Sequence, residues 1–519
     1  MVKKVSIYLV ILIFLVNIIT VTNADIKKLN NWFNTTNEID IDSLLKTDCI
    51  LTINNLIQKN ILDFPNYDPG DLDTPLFDFI ELMDDFGQTA WGLSSADFNH
   101  DGNNDFVVTY ADAPISHTTF SIFYNNGQGI FTKDDVYKFY NYYVKSITSD
   151  DFDNDGDTDI IYTYDQANNQ SIYIYGFIRI MLNDGTNHFA KTSLIAKRGT
   201  GIPYDPDGRI NIHVTSADYD MDGDVDLLAG DNSGAVEFYL NEGNANFTSS
   251  GILHDYGLLG LTWGLTSADF DGDGDIDVLI AARVRNYFGH IWFKQNMMIE
   301  SNYSIVFESG PGIIIADINS SYCIQGTASL TSLDYNNDGK MDFIAGISLE
   351  AYLYVNKGGF YEPFYICTLP DGTEGYMDDL TYGAMTSADY NKDGCIDVVM
   401  GGLQGYVRLL INKHALAVII RPKNTYWYLF DTEKYPIFRY GTRAVCIGKI
   451  TLCVAELEDL ARVEFYINGK LKYSDNSTPF DYVWRTGSLF RFRYNVKIVA
   501  YDAIENHSSS DEIKIWRLL

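Results

Sequence analysis

The chain has 519 residues, 46% hydrophobic and 14% aromatic, too long for one ordinary core and too apolar for a disordered chain. Its formal net charge of −33 argues against nucleic acid or an anionic membrane as partner, because both would repel it. The 37 Tyr and 30 Phe point to sheets, where flat side chains suit a pleated surface.

At the N-terminus, Lys3 and Lys4 precede an apolar run from Val5 to Ile19, and Thr22-Asn23-Ala24 offers a cleavage site before Asp25. Residues 1–24 therefore read as a signal peptide, which makes the protein secreted or cell-surface. An uncleaved membrane anchor is the alternative, and no later apolar run is long enough to span a bilayer. Seven Asn-x-Ser/Thr sequons, at Asn34, Asn169, Asn246, Asn302, Asn319, Asn476 and Asn506, fit an exported protein. Residues 25–75 form an N-terminal extension that looks helical or irregular. Leu76 to Met83, LFDFIELM, is strand-like.

Six related strings then follow: DFNHDGNND, DFDNDGDTD, DYDMDGDVD, DFDGDGDID, DYNNDGKMD and DYNKDGCID, spaced 54, 67, 51, 65 and 55 residues apart. Position 1 is Asp97, Asp151, Asp218, Asp269, Asp334 and Asp389. Position 3 is Asn99, Asp153, Asp220, Asp271, Asn336 and Asn391. Position 5 is Asp101, Asp155, Asp222, Asp273, Asp338 and Asp393. Position 7 varies: Asn103, Asp157, Asp224, Asp275, Lys340 and Cys395. Position 9 is Asp105, Asp159, Asp226, Asp277, Asp342 and Asp397. Position 6 is always Gly, which supplies a sharp turn. Position 2 is always aromatic and position 10 always apolar, so both flanks should be pinned in a core.

Each string is preceded by Ser or Thr, then Ser, and followed by an apolar strand-like run. About 30 residues on, Asn-x-Gly marks a hairpin in most copies, as in Asn125-Asn126-Gly127 and Asn241-Glu242-Gly243. The copy starting at Asp269 lacks this signal. Four strands per unit of roughly 55 residues is the pattern of a β-propeller blade. Six blades are favoured over residues 76–414, the last completed by Leu76–Met83 from the other end of the chain. Seven would need a loop-less blade from residues 25–75.

Alternating carboxylates curled about a glycine turn are a hard-oxygen cage suited to Ca²⁺. A helix–loop–helix calcium hand would need a Glu at position 12, where this chain has Val108, Tyr162, Ala229, Ile280, Ala345 and Met400. A Lys at position 7 fits only if that residue offers its backbone carbonyl and its side chain points away. The loops of Asp334 and Asp389, with fewest acids, should be the weakest.

Residues 415–519 carry 15 Lys+Arg against 12 Asp+Glu, so the acidity lies before them and a domain boundary falls near 415. Strands alternating apolar and polar, such as Val463–Ile467 and Val496–Asp502, predict a β-sandwich. Six scattered cysteines are too few for a disulfide scaffold.

The Asp loops between strands resemble the FG-GAP or VCBS repeats of integrin-α-like propellers, over about residues 77–414. That resemblance implies Ca²⁺ held by the side chains at positions 1, 3, 5 and 9 and the carbonyl at 7. It also implies a scaffold shared by adhesion proteins, lectins and some lyases. The tail resembles a bacterial or archaeal Ig-like module.

No His-Glu-x-x-His, Gly-x-Ser-x-Gly or phosphate-cradling loop occurs. The sequence therefore reads as a non-catalytic adhesion or recognition protein with a protein or glycan ligand. A carbohydrate-binding lectin is the alternative, and a polysaccharide lyase or hydrolase a more distant one. Trp91, Trp263 and Tyr382 are assigned to blade packing rather than sugar stacking, His213 to a structural role, and Arg283, Arg285 and Lys294 to solvated charges.

Overall fold

The computed structural model describes residues 76–518 apart from connecting segments, the longest being 200–211, 318–327 and 369–383. The signal peptide, the extension and Tyr382 lie outside the described residues. The chain divides into two compact units, one spanning Leu72–Ala415 and the other containing Leu416–Leu519.

The first unit opens with β1 (Phe77–Met83) and continues as four-stranded antiparallel sheets. Sheet one is β2 (Thr89–Ala96), β3 (Asp105–Ala111), β4 (His117–Asn125) and β5 (Phe131–Tyr140). Sheet two is β6 (Tyr143–Asp150), β7 (Asp159–Ala167), β8 (Ile174–Leu182) and β9 (Lys191–Gly199). Sheet three is β10 (His213–Ala217), β11 (Asp226–Gly230), β12 (Ala235–Asn241) and β13 (Phe247–Asp255). Sheet four is β14 (Leu261–Ala268), β15 (Asp277–Val284), β16 (Phe288–Lys294) and β17 (Ile313–Asp317). Sheet five is β18 (Ala328–Leu333), β19 (Asp342–Ile347), β20 (Glu350–Asn356) and β21 (Tyr361–Thr368). Sheet six is β22 (Met385–Ala388), β23 (Asp397–Gly401) and β24 (Val407–Asn412), completed by β1.

Burial grades from strand to strand, as stacked sheets require. Every residue of β11 and β23 is buried, because neighbouring blades cover both faces. The fourth strand β5 is exposed or half-buried throughout. The aromatic at loop position 2 plugs each interface: Phe98, Phe152, Tyr219, Phe270, Tyr335 and Tyr390 are at most 4% exposed. Each such side chain contributes roughly 1.5–3 kcal/mol of burial.

Two devices close the ring. β1 pairs antiparallel with β24, from Phe77 opposite Asn412 to Met83 opposite Val407, so the two ends of the unit share one sheet. The inner strands also follow one another in a cycle, β2 beside β6, β6 beside β10, β10 beside β14, β14 beside β18, β18 beside β22, and β22 beside β2. The Ser/Thr-Ser pair before each loop stitches that cycle. Ser94 bonds Ser149 at 2.7 Å, Thr148 bonds Ser216 at 2.6 Å, and Thr215 bonds Ser267 at 3.1 Å. Thr266 bonds Ser332 at 3.2 Å, Thr331 bonds Ser387 at 3.0 Å, and Thr386 bonds Ser95 at 2.8 Å. The cycle closes after six sheets, which makes this a six-bladed β-propeller.

The second unit has β25 (Ala417–Arg421), β26 (Tyr426–Leu429), β27 (Thr432–Pro436), β28 (Ala444–Ile447) and β29 (Ile450–Glu456). It continues with β30 (Leu460–Ile467), β31 (Lys470–Asp475), β32 (Asp481–Trp484), β33 (Arg493–Asp502) and β34 (Ser508–Leu518). These form a three-stranded sheet, β25-β29-β32, and a seven-stranded one, β27-β26-β28-β34-β33-β30-β31. Leu452 and Val454 of the first share one core with Phe465, Val496, Ile498 and Ile515 of the second, which is a β-sandwich. Arg517 is 1% exposed inside it. Its guanidinium lies 4.0 Å from the Trp484 ring centroid and donates to the carbonyls of Gly448 and Trp484, which offsets part of the cost of burying its charge.

Candidate functional site

Each Asp loop joins the inner strand of a blade to its second strand, and local bonds fold it the same way every time. The position-1 carboxylate accepts from the backbone N–H of positions 5 and 6; for Asp151 these are Asp155 at 3.1 Å and Gly156 at 2.9 Å. Position 4 has positive φ in every copy (His100, Asn154, Met221, Gly272, Asn337, Lys392), as does the glycine at position 6. Two left-handed residues in three produce the tight curl that turns the carboxylates toward one centre.

The position-9 aspartates are wholly buried. Each accepts from the position-2 N–H and from the N–H of an Asn at the end of the third strand, as Asp226 does from Tyr219 at 3.2 Å and Asn241 at 2.8 Å. That Asn, at 125, 183, 241, 296, 356 and 412, ties the loop to its hairpin. In five blades its side-chain amide also donates to the position-2 carbonyl of the preceding blade, as Asn241 does to Phe152 at 2.9 Å. Blade four lacks Asn-x-Gly yet keeps the residue as Asn296, one past Lys294-Gln295.

The carboxylates converge most closely in three loops. Oxygens of Asp151, Asp153 and Asp159 lie within 4.8 Å of one another, as do those of Asp218, Asp220 and Asp226, and those of Asp269, Asp271 and Asp273. In the first two, Asp153 Oδ1 and Asp220 Oδ1 are buried without a hydrogen-bond partner. A buried carboxylate oxygen facing two more carboxylates is costly unless a cation joins them, so the residues present fit a hard divalent ion. Desolvation pushes Asp105, Asp159, Asp226, Asp342 and Asp397 up to about 7 and Asp277 up to about 8, and neighbouring loop acids add to the rise. Desolvation and adjacent aspartates likewise raise Asp220 and Asp271 to about 6.

The loops with Asn at position 3 are self-bonded. Asn99 Nδ2 donates to Asp101 at 3.2 Å and Asn391 Nδ2 to Asp393 at 2.9 Å. Asn336 Oδ1 accepts from Asp338 N at 3.3 Å. Position 7 serves several ends. Asp157 accepts from His100 of the preceding loop at 2.7 Å, and Asp224 accepts from Asn154, so loops are latched to one another. Asn103 donates to the Asn125 carbonyl, Asp275 accepts from Ile299 N, and Cys395 is buried. The Lys340 side chain does not point away as expected: its ammonium sits 3.0 Å from Asp338, drawn by the nearest carboxylate.

At the other end of the inner strands lies an axial cavity of about 170 Å³, to which all six blades contribute. Trp91, Lys145, His213 and Trp263 line it, so the two tryptophans are not confined to packing between blades. Lys145 is 3% exposed, with its ammonium 3.6 Å from the Trp91 ring centroid. Lys294, expected to be solvated, is fully buried.

Fold and loops together define the class: a six-bladed β-propeller with one Asp/Gly loop in each blade. More particularly, residues 97–162, 151–229 and 218–280 match the model of the FG-GAP-like repeat, so the chain carries repeats of that kind across 97–280. Among solved structures, a lectin of Agrocybe aegerita that recognises non-reducing terminal N-acetylglucosamine is similar at 18% identity, covering 65% of this chain and 82% of that one, with a TM-score of 0.36. The six-bladed, fucose-recognising lectin of Aleuria aurantia is similar at 12% identity, covering 63% and 97%, with a TM-score of 0.37. Fibronectin(III)-like modules of Clostridium thermocellum CbhA are similar at 19% identity over 20% of this chain and 99% of theirs, with a TM-score of 0.15. No curated protein matches the chain.

Proposed function

We propose that this is an exported, calcium-binding propeller that recognises a ligand at or outside the cell surface and performs no catalysis. The observation that carries the calcium reading is the pair of buried, partnerless oxygens, Asp153 Oδ1 and Asp220 Oδ1, each beside two further loop carboxylates. In every loop, the side chains at positions 1, 3, 5 and 9 and the carbonyl at 7 would hold the ion. Bound there, it supplies charge neutralisation and a cross-link between an inner strand and the next strand of the same blade.

Export rests on the N-terminal sequence, and the tail is read as an Ig-like spacer or adhesion unit from its sandwich of two sheets. Calorimetric titration of chelator-treated protein with Ca²⁺ tests the metal reading, with several binding equivalents expected. Absence of heat and of any gain in melting temperature would sink it. Unsaturated product released from polyuronates would overturn the non-catalytic part.

A further inference from the structure

The six inner strands solve one packing problem six times, so the places where they diverge are informative. Counting back from each position-1 Asp, the third residue always carries a hydroxyl. The fourth is always apolar: Leu93, Ile147, Val214, Leu265, Leu330 and Met385. Beyond them the agreement ends. The fifth is small in five blades (Gly92, Ser146, Gly264, Ser329, Ala384) but His213 in the third. The sixth is Trp91, Lys145 and Trp263 in blades one, two and four. Packing demands alone would have kept these alike.

The backbone treats the same three residues specially. β2 pairs Ala90 with Tyr110 and Gly92 with Thr109, leaving Trp91 as an extra residue. β6 skips Lys145 between Val144 and Ser146, and β14 skips Trp263 between Thr262 and Gly264. These are β-bulges, which re-aim a side chain at the expense of ladder pairing. Threonine hydroxyls of the adjacent strand hold two of them, accepting from Gly92 N at 2.9 Å and Ser146 N at 3.2 Å. A Cβ on Gly92 would lie 3.1 Å from both Thr109 and Ile147, so a larger residue at the first bulge would have to push those side chains aside. All three bulged residues line the axial cavity.

We propose that this cavity binds a small carboxylate carried on a ring, either a uronic acid residue or an aromatic acid. The proposal rests on reading the protein as a binding module and names the class of ligand it takes. Lys145 is the charged residue of the described lining, and the Trp91 face fixes its ammonium by a cation–π contact. An ammonium so placed gives a carboxylate a short, charge-assisted bond. His213 Nε2 is buried with no hydrogen-bond partner and gains one when a polar ligand atom arrives. Burial, with Lys145 adding to it, pushes the His213 pKa down to about 4, so the imidazole is neutral and brings no competing charge. Trp91 and Trp263 add apolar surface to the lining beside the ammonium. At about 170 Å³ the space suits a single ring with its substituents, since a cavity of ~150 Å³ accepts benzene.

The test is titration of the full chain in calcium with glucuronate, glucose, benzoate and benzyl alcohol, read by calorimetry and indole fluorescence. One acid should bind at least about tenfold more tightly than its neutral counterpart, and Lys145→Met should bring the two level. Glucuronate alone points to an acidic glycan as the source, and benzoate alone to an aromatic acid. Should K145M fail to fold, His213→Asn, checked by its melting temperature, must weaken the acid. Binding of neither acid, or discrimination that survives K145M, overturns the proposal. Protein that still takes up calcium in that event keeps the broader reading and loses only this one.

Discussion

Ser95 Oγ lies 2.8 Å from Thr386 Oγ1, 291 residues away in the chain. This contact joins the first blade to the sixth and completes the circle of hydroxyl pairs. The Tyr390 hydroxyl also bonds Ser95, so the junction is a small, partly buried network rather than a lone pair. Removing Thr386 leaves Ser95 its bond to Tyr390 and costs one hydrogen bond, about 0.5–1.5 kcal/mol. Thr386→Val should lower stability by that amount in urea unfolding. The double variant S95A/T386V should cost less than the sum of its singles, because the Ser95–Thr386 bond is lost in each single and only once in the double, while the loss of the Tyr390 bond comes with S95A alone. Strict additivity would show that the two hydroxyls are not coupled.

Phe77 tests the other closure. It is fully buried and packs edge-on to Tyr335 at 5.4 Å, while the Tyr335 hydroxyl donates to the Leu76 carbonyl at 3.0 Å. Phe77→Ala should cost about 3–5 kcal/mol. Hydrogen exchange should rise first in β1 and β24, since the variant loosens the shared sheet before the rest. Uniform exchange across all six blades would contradict that order.

Much of this was legible in the sequence because the informative interactions are local. The Asp loop folds through side-chain bonds to backbone four and five residues on, so its pattern survives in any copy. The role of Leu76–Met83 followed from counting strands. The hydroxyl circle was harder to see. The Ser/Thr-Ser pair repeats visibly before each loop, but which residue it meets depends on the closed ring. Asn296 escaped notice because blade four keeps the Asn without the glycine that marks it as a turn. Lys294 reads as a solvated charge at the end of an apolar run and is fully buried. That Trp91 and Trp263 line the axial cavity is not legible in the sequence, because the bulges that set them there leave no trace in a pattern of period two.

Calcium should act as part of the fold. With Ca²⁺ about tenfold above its dissociation constant, each occupied loop contributes roughly 1.4 kcal/mol. Several loops together would rival the net stability of a domain. Chelator should therefore lower the melting temperature sharply, and calcium should restore it. The loops of Asp151, Asp218 and Asp269, where carboxylate oxygens already converge, should fill first. Asp153→Asn should weaken one site on the order of tenfold while leaving the others in place. A melt that chelator does not move would remove metal from the account.

His213 sets an acid limit on stability. Its pKa falls from 6.5 to about 4 in the folded protein, by burial and by the charge of Lys145, which lines the same cavity. Between these values the unfolded chain binds a proton that the native imidazole refuses. Stability from this group is therefore complete above pH 6.5 and declines as pH falls toward 4, by up to about 1.4 kcal/mol per pH unit. Other groups titrate in the same range, so the comparison is between wild type and His213→Leu in saturating calcium. The variant's denaturation midpoint should fall less steeply between pH 6.5 and 4, and the two curves should run parallel above 7. Curves parallel across the whole range would mean that His213 takes its proton as readily in the fold as outside it.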